Sequence, residues 1–201
     1  MPPHNPEFVR HQLRIRRPSR RTLDQRFAVR FPRQTARSLR LIAGLRLHSR
    51  LRRAAWVRGW QMTAEAYNRR DLDAVVVGFH PDIEYRPAES WVQAGFFEPV
   101  YHGPEGYRRY VAITAEVFGT EVYFEPFELI DLGDRQVVLA KTPMRAQASG
   151  VPLTESFAYL ATIEDGLVVR LQEYYDHREA LEAVGLGEAH GGDGRAPAAT
   201  G

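Results

Sequence analysis

The feature that most constrains the fold is a series of strand-length runs in the second half of the chain. Apolar and polar residues alternate through much of residues 121–131, 135–147, 152–164 and 167–176. Short glycine-containing signals between these runs are typical of tight turns joining antiparallel strands. The sequence therefore predicts a sheet whose last three strands form consecutive hairpins. The turns lie at Gly133-Asp134, Ser149-Gly150 and Asp165-Gly166.

Helical patterns come before and after these strands. A stripe of apolar residues recurs every three or four positions from Trp56 to Tyr67 and predicts a first helix. Asp71 is placed to cap a second, short helix, and Pro104 opens a third at a position where its missing N–H costs nothing. Asp176 caps a short final helix. The order predicts an α+β fold in which a curved, mixed or antiparallel sheet wraps on three helices.

Charge is distributed unevenly along the chain. Residues 1–58 contain 16 arginines against two acidic residues, a net charge of +14, whereas residues 59–201 contain 11 basic and 23 acidic residues, a net charge of −12. The overall net charge of +2 hides this asymmetry. A bias toward arginine over lysine does not explain why the cations concentrate at one end.

Composition divides the chain into four parts. Residues 1–35 are rich in arginine and proline, so we expect them to be disordered. Residues 36–53 predict a basic amphipathic helix, which forms an N-terminal helical extension. Residues 54–187 form the α+β domain, and the glycine- and alanine-rich residues 188–201 predict a disordered tail.

The basic helix at 36–53 leaves several interpretations open. Leu39, Ile42 and Leu45 alternate with arginines, and an apolar stripe of this kind most often packs on a domain. The same pattern suits an anionic membrane surface or a nucleic acid. A transit peptide is a further alternative, because such peptides are also rich in arginine and poor in acids.

Several classes of function are excluded or disfavoured. The chain has no cysteine, so disulfides and thiolate catalysis are excluded. No apolar run approaches the length of a transmembrane helix, and no secretory signal is evident, so we expect a cytoplasmic protein. His and Glu spacings typical of metal sites are absent, as is a glycine-rich phosphate loop. We therefore expect neither a metal nor another cofactor.

Strand periodicity assigns side chains to the two faces of the sheet. The face that contains Val138 and Ala140 lacks charge and is expected to face inward. Helix and strand residues pointing the same way then line a pocket for a small-molecule ligand. The expected lining residues are Trp60, Thr63, Tyr85, Met144, Phe157, Leu171 and Tyr175.

Glu173 stands out because it is an acid on an otherwise apolar face, between Leu171 and Tyr175. Burial disfavours the charged form of a carboxyl and raises its pKa, which suits a general acid or base near neutral pH. Tyr159 and Tyr175 are placed to donate hydrogen bonds to a ligand oxygen. We therefore predict Glu173 and Tyr159 as catalytic residues. The alternative is a structural Glu173 that pairs with an arginine or lies at a solvated strand end.

The motifs along residues 56–187 resemble the SnoaL-like branch of the nuclear transport factor 2 superfamily, which shares the ketosteroid isomerase-like fold. The resemblance is based on Tyr67-Asn68-Arg69-Arg70-Asp71, the His102-Gly103-Pro104 helix start and the closing Tyr174-Tyr175-Asp176-His177. It implies a cone-shaped α+β domain with a pocket between helices and sheet. It does not fix a reaction, because this fold carries many activities.

When the chain is aligned with ketosteroid isomerase, the residues that act on the substrate are not preserved. The oxyanion tyrosine falls at Thr63, the general base at Pro87 and the protonated aspartate at Tyr159. Neither Thr63 nor Pro87 can do the chemistry of the residue it replaces, whereas Tyr159 keeps a donor, so these departures disfavour ketosteroid isomerisation.

Two functions remain. The first is a cofactor-independent isomerase, cyclase or dehydratase acting on a small apolar carbonyl compound. The second is a non-catalytic ligand-binding or dimerisation module whose basic arm contacts a membrane or another partner. The outward positions Val137, Leu139, Val168 and Tyr174 are too apolar for full exposure. They predict a homodimer formed through the sheet.

Overall fold

The computed structural model describes residues 6–119, 122–145 and 152–187, the side chains of 144–145 and 152–155 excepted. Its helices are α1 (Leu23–Arg30), α2 (Pro32–Ala43), α3 (Arg50–Asn68), α4 (Leu72–Val75), α5 (Glu89–Gln93), α6 (Gly103–Phe118) and α7 (His177–Glu182). Its strands are β1 (Val9–Gln12), β2 (Phe79–Arg86), β3 (Tyr101–His102), β4 (Glu125–Asp131), β5 (Arg135–Arg145), β6 (Pro152–Glu164) and β7 (Leu167–Tyr174). The expected tail at 188–201 lies outside the described residues.

The strands form one curved, mixed sheet in the order β1-β4-β5-β6-β7-β2-β3. β4 to β7 pair antiparallel, as the turn signals predict, and β2 pairs parallel with β7. The β6–β7 turn places Asp165 and Gly166 at positive φ, which a short polar residue and a glycine tolerate best. The α+β prediction is therefore confirmed, with three helices, α3, α4 and α6, contributing to the core on the concave side.

The inner face of the sheet carries the main core. Val138 and Ala140 on β5 and Phe157, Tyr159 and Ala161 on β6 are buried there, in agreement with the period-two assignment. Because one face is buried along these strands, their register is strongly specified.

Strand β7 departs from strict alternation. Thr162 pairs with Arg170 and Ile163 pairs with Val168, so the intervening residue forms a bulge. A bulge inserts one extra residue, so the side chains that precede it lie on the opposite face of the sheet from the one that strict alternation predicts. Val168 therefore packs against the main core together with Leu171, whereas the sequence pattern placed Val168 on the outer face.

A second core covers the outer face of the sheet. Val137 and Leu139 are buried there against Leu181 and Leu186, which lie in and after α7. Asp176 caps α7 by accepting a hydrogen bond from the Arg178 backbone N–H at 2.7 Å. The apolar residues that suggested a dimer are thus largely covered within one chain, so they no longer argue for it.

The N-terminal region differs from the sequence prediction. Residues 1–35 were expected to be disordered, but β1 pairs with β4 and α1 is helical. The predicted helix over 36–53 is split, because α2 ends at Ala43 and α3 begins at Arg50. Composition does not indicate this ordered structure, because the contacts that stabilise it come from distant parts of the chain.

Ion pairs between the two halves of the chain provide many of those contacts. The cationic N-terminal region lies against the acidic domain, so folding neutralises part of the charge asymmetry of the sequence. Most of these pairs are partly exposed and individually weak, but they are spread along the whole region. They are Arg10–Glu128, Arg17–Glu125, Arg21–Asp71, Arg58–Glu65 and Arg40–Asp165.

Among the ion pairs of the described residues, the one between Arg52 and Asp131 is fully buried. The Arg52 guanidinium donates two hydrogen bonds to the Asp131 carboxylate, at 2.7 and 2.9 Å. Its other N–H groups donate to the carbonyl oxygens of Ala43 and Gly133, both at 2.6 Å. Arg52 is 2% and Asp131 0% exposed. This bidentate pair joins the end of α2, the start of α3 and the β4–β5 turn.

Asp131→Asn is expected to lower the free energy of unfolding by about 3–5 kcal/mol, because it leaves the Arg52 charge buried and unpaired. Chemical denaturation measures the loss. The matched control is Asp165→Asn, which removes one carboxylate charge from the exposed pair with Arg40 and should cost at most about 1 kcal/mol. Similar losses for the two variants would contradict this role of the buried pair.

Candidate functional site

An apolar cavity lies between the N-terminal helices and the inner face of the sheet. Its volume is about 270 Å³, which exceeds the ~150 Å³ that holds a benzene molecule in an apolar core. Ala28 on α1 and Leu39 on α2 form part of one wall, and Val168 and Leu171 on β7 form part of another. The N-terminal helices therefore enclose the cavity together with the domain.

Aromatic and amide side chains supply the polar groups of this cavity. Trp56 and Trp60 reach the cavity from successive turns of α3, and Tyr67 reaches it from two turns further along the same helix. Gln136 on β5 and Tyr159 on β6 contribute from the sheet. Such sparse polar groups in an apolar lining are typical of small-molecule sites.

A second, small cavity of about 30 Å³ lies beside the first, large enough to hold a water molecule. Glu173 lines it, together with Tyr110 and Phe157. Tyr67, Phe124 and Tyr159 line both cavities and form the wall between them. Glu173 therefore lies one side chain away from the larger cavity.

Glu173 is 1% exposed on β7. Its Oε2 accepts hydrogen bonds from the Tyr85 hydroxyl and, at 2.8 Å, from the Tyr110 hydroxyl. Among the described residues Glu173 forms no ion pair, so neither an arginine partner nor a solvated strand end accounts for it. It is a buried carboxyl held by neutral phenols.

Burial raises the pKa of Glu173 to about 7, and the hydrogen bonds from Tyr85 and Tyr110 oppose part of that rise. The carboxyl therefore holds its proton up to neutral pH, where an ordinary glutamate is ionised. Such a group is matched to proton transfer at physiological pH.

The surrounding tyrosines remain phenols. Burial raises the pKa of Tyr85, Tyr110 and Tyr159 well above the ordinary value, and the nearby Glu173 contributes to each rise. Hydrogen bonding from Tyr85 lowers the pKa of Tyr159 and partly offsets its burial. Tyr85 thus lies between Tyr159, on the cavity wall, and Glu173.

The lining residues expected from the sequence are divided between the two cavities. Trp60, Thr63 and Leu171 line the larger one, and Phe157 and Tyr175 line the smaller one. The Tyr175 ring lies 5.5 Å from that of Phe157, centroid to centroid.

The other two expected lining residues are Tyr85 and Met144. Tyr85 is fully buried behind the cavity walls, where it contacts Glu173 rather than open space. The Met144 backbone belongs to β5, and its side chain lies outside the described part of the chain.

Gln136 was missed by the sequence analysis. It lies two residues before Val138, so the same alternation that placed Val138 inward points Gln136 inward as well. Its side-chain Oε1 accepts a hydrogen bond from Trp60 Nε1 at 2.7 Å. No local sequence pattern indicates that α1 and α2 line the cavity, because this depends on how those helices pack against the rest of the domain.

Within the described residues, no group of three or more His, Asp or Glu side chains is arranged to hold a metal ion. None of the described helices is both long enough and apolar enough to cross a membrane.

The fold and its cavity define an NTF2-like α+β pocket protein. The model of the SnoaL-like domain matches residues 60–171, more than half of the 201 residues. The chain therefore belongs to the SnoaL-like domain family. No curated protein matches the chain.

Solved structures share the fold. TerC, crystallised with polyporic acid, is 24% identical, and the match covers 64% of this chain and 96% of TerC with a TM-score of 0.54. An NTF2-like protein of unknown function from Burkholderia pseudomallei K96243 is 23% identical, with 64% and 95% coverage and a TM-score of 0.53. At these identities the likeness establishes the architecture.

The raised pKa of Glu173 predicts a specific pH dependence of stability. The folded protein keeps a proton that the unfolded chain releases above pH 4.5, so stability is highest below that value and falls as pH rises through about 7. The total loss is about 3 kcal/mol, at about 1.4 kcal/mol per unit of pKa.

Urea denaturation from pH 4 to pH 8 measures this dependence. Glu173→Gln keeps the size of the side chain but cannot ionise, so the difference in unfolding free energy between variant and wild type should grow across this range. A difference that stays constant with pH would contradict the assignment.

Proposed function

We propose that the protein is a cofactor-independent enzyme that activates the carbonyl group of a small, largely apolar compound bound in the 270 Å³ cavity. The observation that carries this proposal is the position of Tyr85, whose hydroxyl donates a hydrogen bond to Glu173 and whose ring packs beside Tyr159 on the cavity wall. It links a donor on the cavity wall to a buried acid that is protonated at neutral pH.

The chemistry that this arrangement supports is acid catalysis. Tyr159 donates a hydrogen bond to the carbonyl oxygen and stabilises the negative charge that develops there. For proton transfer the Tyr85 hydroxyl turns from Glu173 to Tyr159, and the protonated Glu173 carboxyl donates to Tyr85 instead. As the oxygen takes the proton of Tyr159, Tyr85 then reprotonates Tyr159 and Glu173 reprotonates Tyr85. The proton lost from the neighbouring carbon of the substrate passes to the Asp24 carboxylate on the cavity wall or to water, and water returns a proton to Glu173. An enol formed in this way leads to isomerisation, to ring closure or to loss of water.

The cavity offers a weaker candidate for a general base than for a general acid. Asp24 is an acidic residue that lines the larger cavity, but hydrogen bonding from Arg58 lowers its pKa to about 2. A carboxylate of such low pKa is a weak proton acceptor. The geometry therefore favours reactions in which the substrate carries its own acidic C–H group.

A non-catalytic binding module is the second candidate. It is favoured by the position of Glu173, which lines the smaller cavity and is separated from the larger one by Tyr159 and Phe124. In that case the cavity binds its ligand without changing it, and the buried acid is a structural feature.

Hydrogen–deuterium exchange at the methyl group of 2-acetylnaphthalene separates the two candidates. Proton NMR in D2O should show exchange accelerated by the wild type, with a rate that falls as pD rises through about 7, because the acid form of Glu173 is required. Glu173→Gln should abolish the acceleration, and Tyr159→Phe should lower it about 100-fold, as for loss of an oxyanion donor.

The matched control is Tyr174→Phe, which removes a hydroxyl on the other side of the sheet and should leave the rate unchanged. Binding of the ketone without any acceleration would overturn the enzymatic proposal and support the binding module.

Other expectations stay predictions. We also propose a cytoplasmic location and a homodimer. The dimer now depends on the family resemblance, since Val137 and Leu139 are buried within the chain.

For the N-terminal region we propose contact with an anionic membrane. Leu23, Phe27 and Phe31 lie four residues apart along α1 and its end, and all three are exposed. Leu23 is 82% exposed, and Leu41 on the neighbouring α2 is 74% exposed. An apolar stripe of this kind on a surface helix is typical of insertion at a lipid interface.

Charge complementarity selects the partner. The exposed Arg26, Arg30, Arg33 and Arg37 flank the apolar residues, and none forms an ion pair with another described residue. A second copy of the chain would bring these like charges together. Nucleic acid would leave the exposed leucines without apolar contact. An anionic lipid surface satisfies both the cations and the apolar stripe.

Co-sedimentation with vesicles of phosphatidylglycerol and phosphatidylcholine tests this contact. Arg33→Gln with Arg37→Gln should weaken binding about thirtyfold, at about 1 kcal/mol per charge. The control pair Arg109→Gln with Arg178→Gln removes the same charge elsewhere and should change it little. Equal binding to pure phosphatidylcholine, or binding to duplex DNA but not to vesicles, would refute the contact.

A further inference from the structure

Two buried donors in the wall of the larger cavity have no hydrogen-bond acceptor among the described residues. They are Gln136 Nε2 and Trp56 Nε1. Gln136 is 1% and Trp56 6% exposed, and both residues line the larger cavity. An unpaired buried donor costs roughly 1–3 kcal/mol, so native proteins seldom keep two of them side by side without use.

The orientation of the Gln136 amide is fixed by its neighbour. The Trp60 indole is a donor only, so the group 2.7 Å from its Nε1 must be the amide oxygen. The amide NH₂ then points away from Trp60. Trp56 and Trp60 lie four residues apart on the same face of α3, which brings the second unpaired donor to the same wall.

We propose that Gln136, with Trp56 beside it, binds a second acceptor oxygen of the ligand, distinct from the carbonyl oxygen that Tyr159 contacts. Gln136 pairs with Ala161 and Val138 pairs with Tyr159 across β5 and β6. Gln136 is therefore one two-residue step from Tyr159 along the sheet, on the order of 7 Å at the backbone.

The ligand class follows from this spacing. A largely apolar cavity with donors at these two positions selects a compact, ring-sized molecule with two oxygen acceptors at opposite ends, such as a diketone or a hydroxyketone. A site built to hydrogen bond an oxygen discriminates strongly against an analogue that lacks it, because its own donors are then left unpaired. Gln136 thus determines specificity rather than reactivity.

This inference depends on the cavity as the ligand site and not on the acid chemistry of Glu173. Binding alone is therefore its test, whereas the exchange of deuterium tests the proposed reaction. A binding module without catalysis would satisfy the first and fail the second.

The test compares 1,4-diacetylbenzene with 1-acetyl-4-isopropenylbenzene, in which a planar methylene replaces one carbonyl oxygen. Equilibrium dialysis with the wild-type chain should show about tenfold tighter binding of the diketone, the value of one well-placed hydrogen bond. Gln136→Met should remove this preference by weakening the binding of the diketone. Tyr159→Phe should also reduce the preference, because the second oxygen then lacks its donor.

Gln93→Leu, an exposed glutamine on α5, is the control and should keep the full preference. Trp56→Phe is the second variant, since it removes an unpaired N–H without taking a partner from any described residue, and it should reduce the preference even if Gln136→Met does not fold. Equal affinity of the wild type for the two compounds, no binding of either, or a preference unchanged in both Gln136→Met and Trp56→Phe would overturn the proposal.

Discussion

The buried pair of Arg52 and Asp131 is the interaction on which the enclosure of the cavity depends. A guanidinium taken out of water must satisfy all of its N–H groups, and here it does so with the Asp131 carboxylate and with carbonyl oxygens at the end of α2 and in the β4–β5 turn. This fixes α2 against the sheet. Since α2 supplies Thr35 and Leu39 to the cavity, the basic extension is part of the site.

Within this enclosure two kinds of polar group are isolated from water. The first is the Glu173 carboxyl, which phenols surround and which burial keeps protonated near neutral pH. The second is the pair of unpaired donors on Gln136 and Trp56. Both are costly in a folded protein, and both lie at or next to the same cavity. A ligand with acceptor oxygens gives both a function.

Much of the domain could be predicted from the sequence, because its signals are local. Period-two alternation and the turn at Asp165-Gly166 fix the hairpins, and the alternation also identified Glu173 as a buried acid. The bulge that turns Val168 inward carries no such signal. The order of residues 9–43 could not be predicted, because it results from pairs such as Arg21–Asp71 between distant positions. Composition alone suggested disorder there.

The candidate site was predictable in part for the same reason. Tyr159 and Leu171 follow from strand parity, and Gln136 follows from it too once the strand is read from its first residues. The separation of the lining into two cavities was not predictable, since it depends on how the rings of Tyr67, Phe124 and Tyr159 pack across the domain.

The most direct test of the central claim is an NMR titration of the protein labelled with ¹³C at the glutamate side-chain carboxyl carbon. The resonance of Glu173 is the one missing in Glu173→Gln. The account predicts a midpoint near pH 7 for this resonance, well above those of exposed glutamates. A midpoint near 4.5 would show that the carboxyl is ionised at neutral pH, and the proposed acid catalysis would then have no acid.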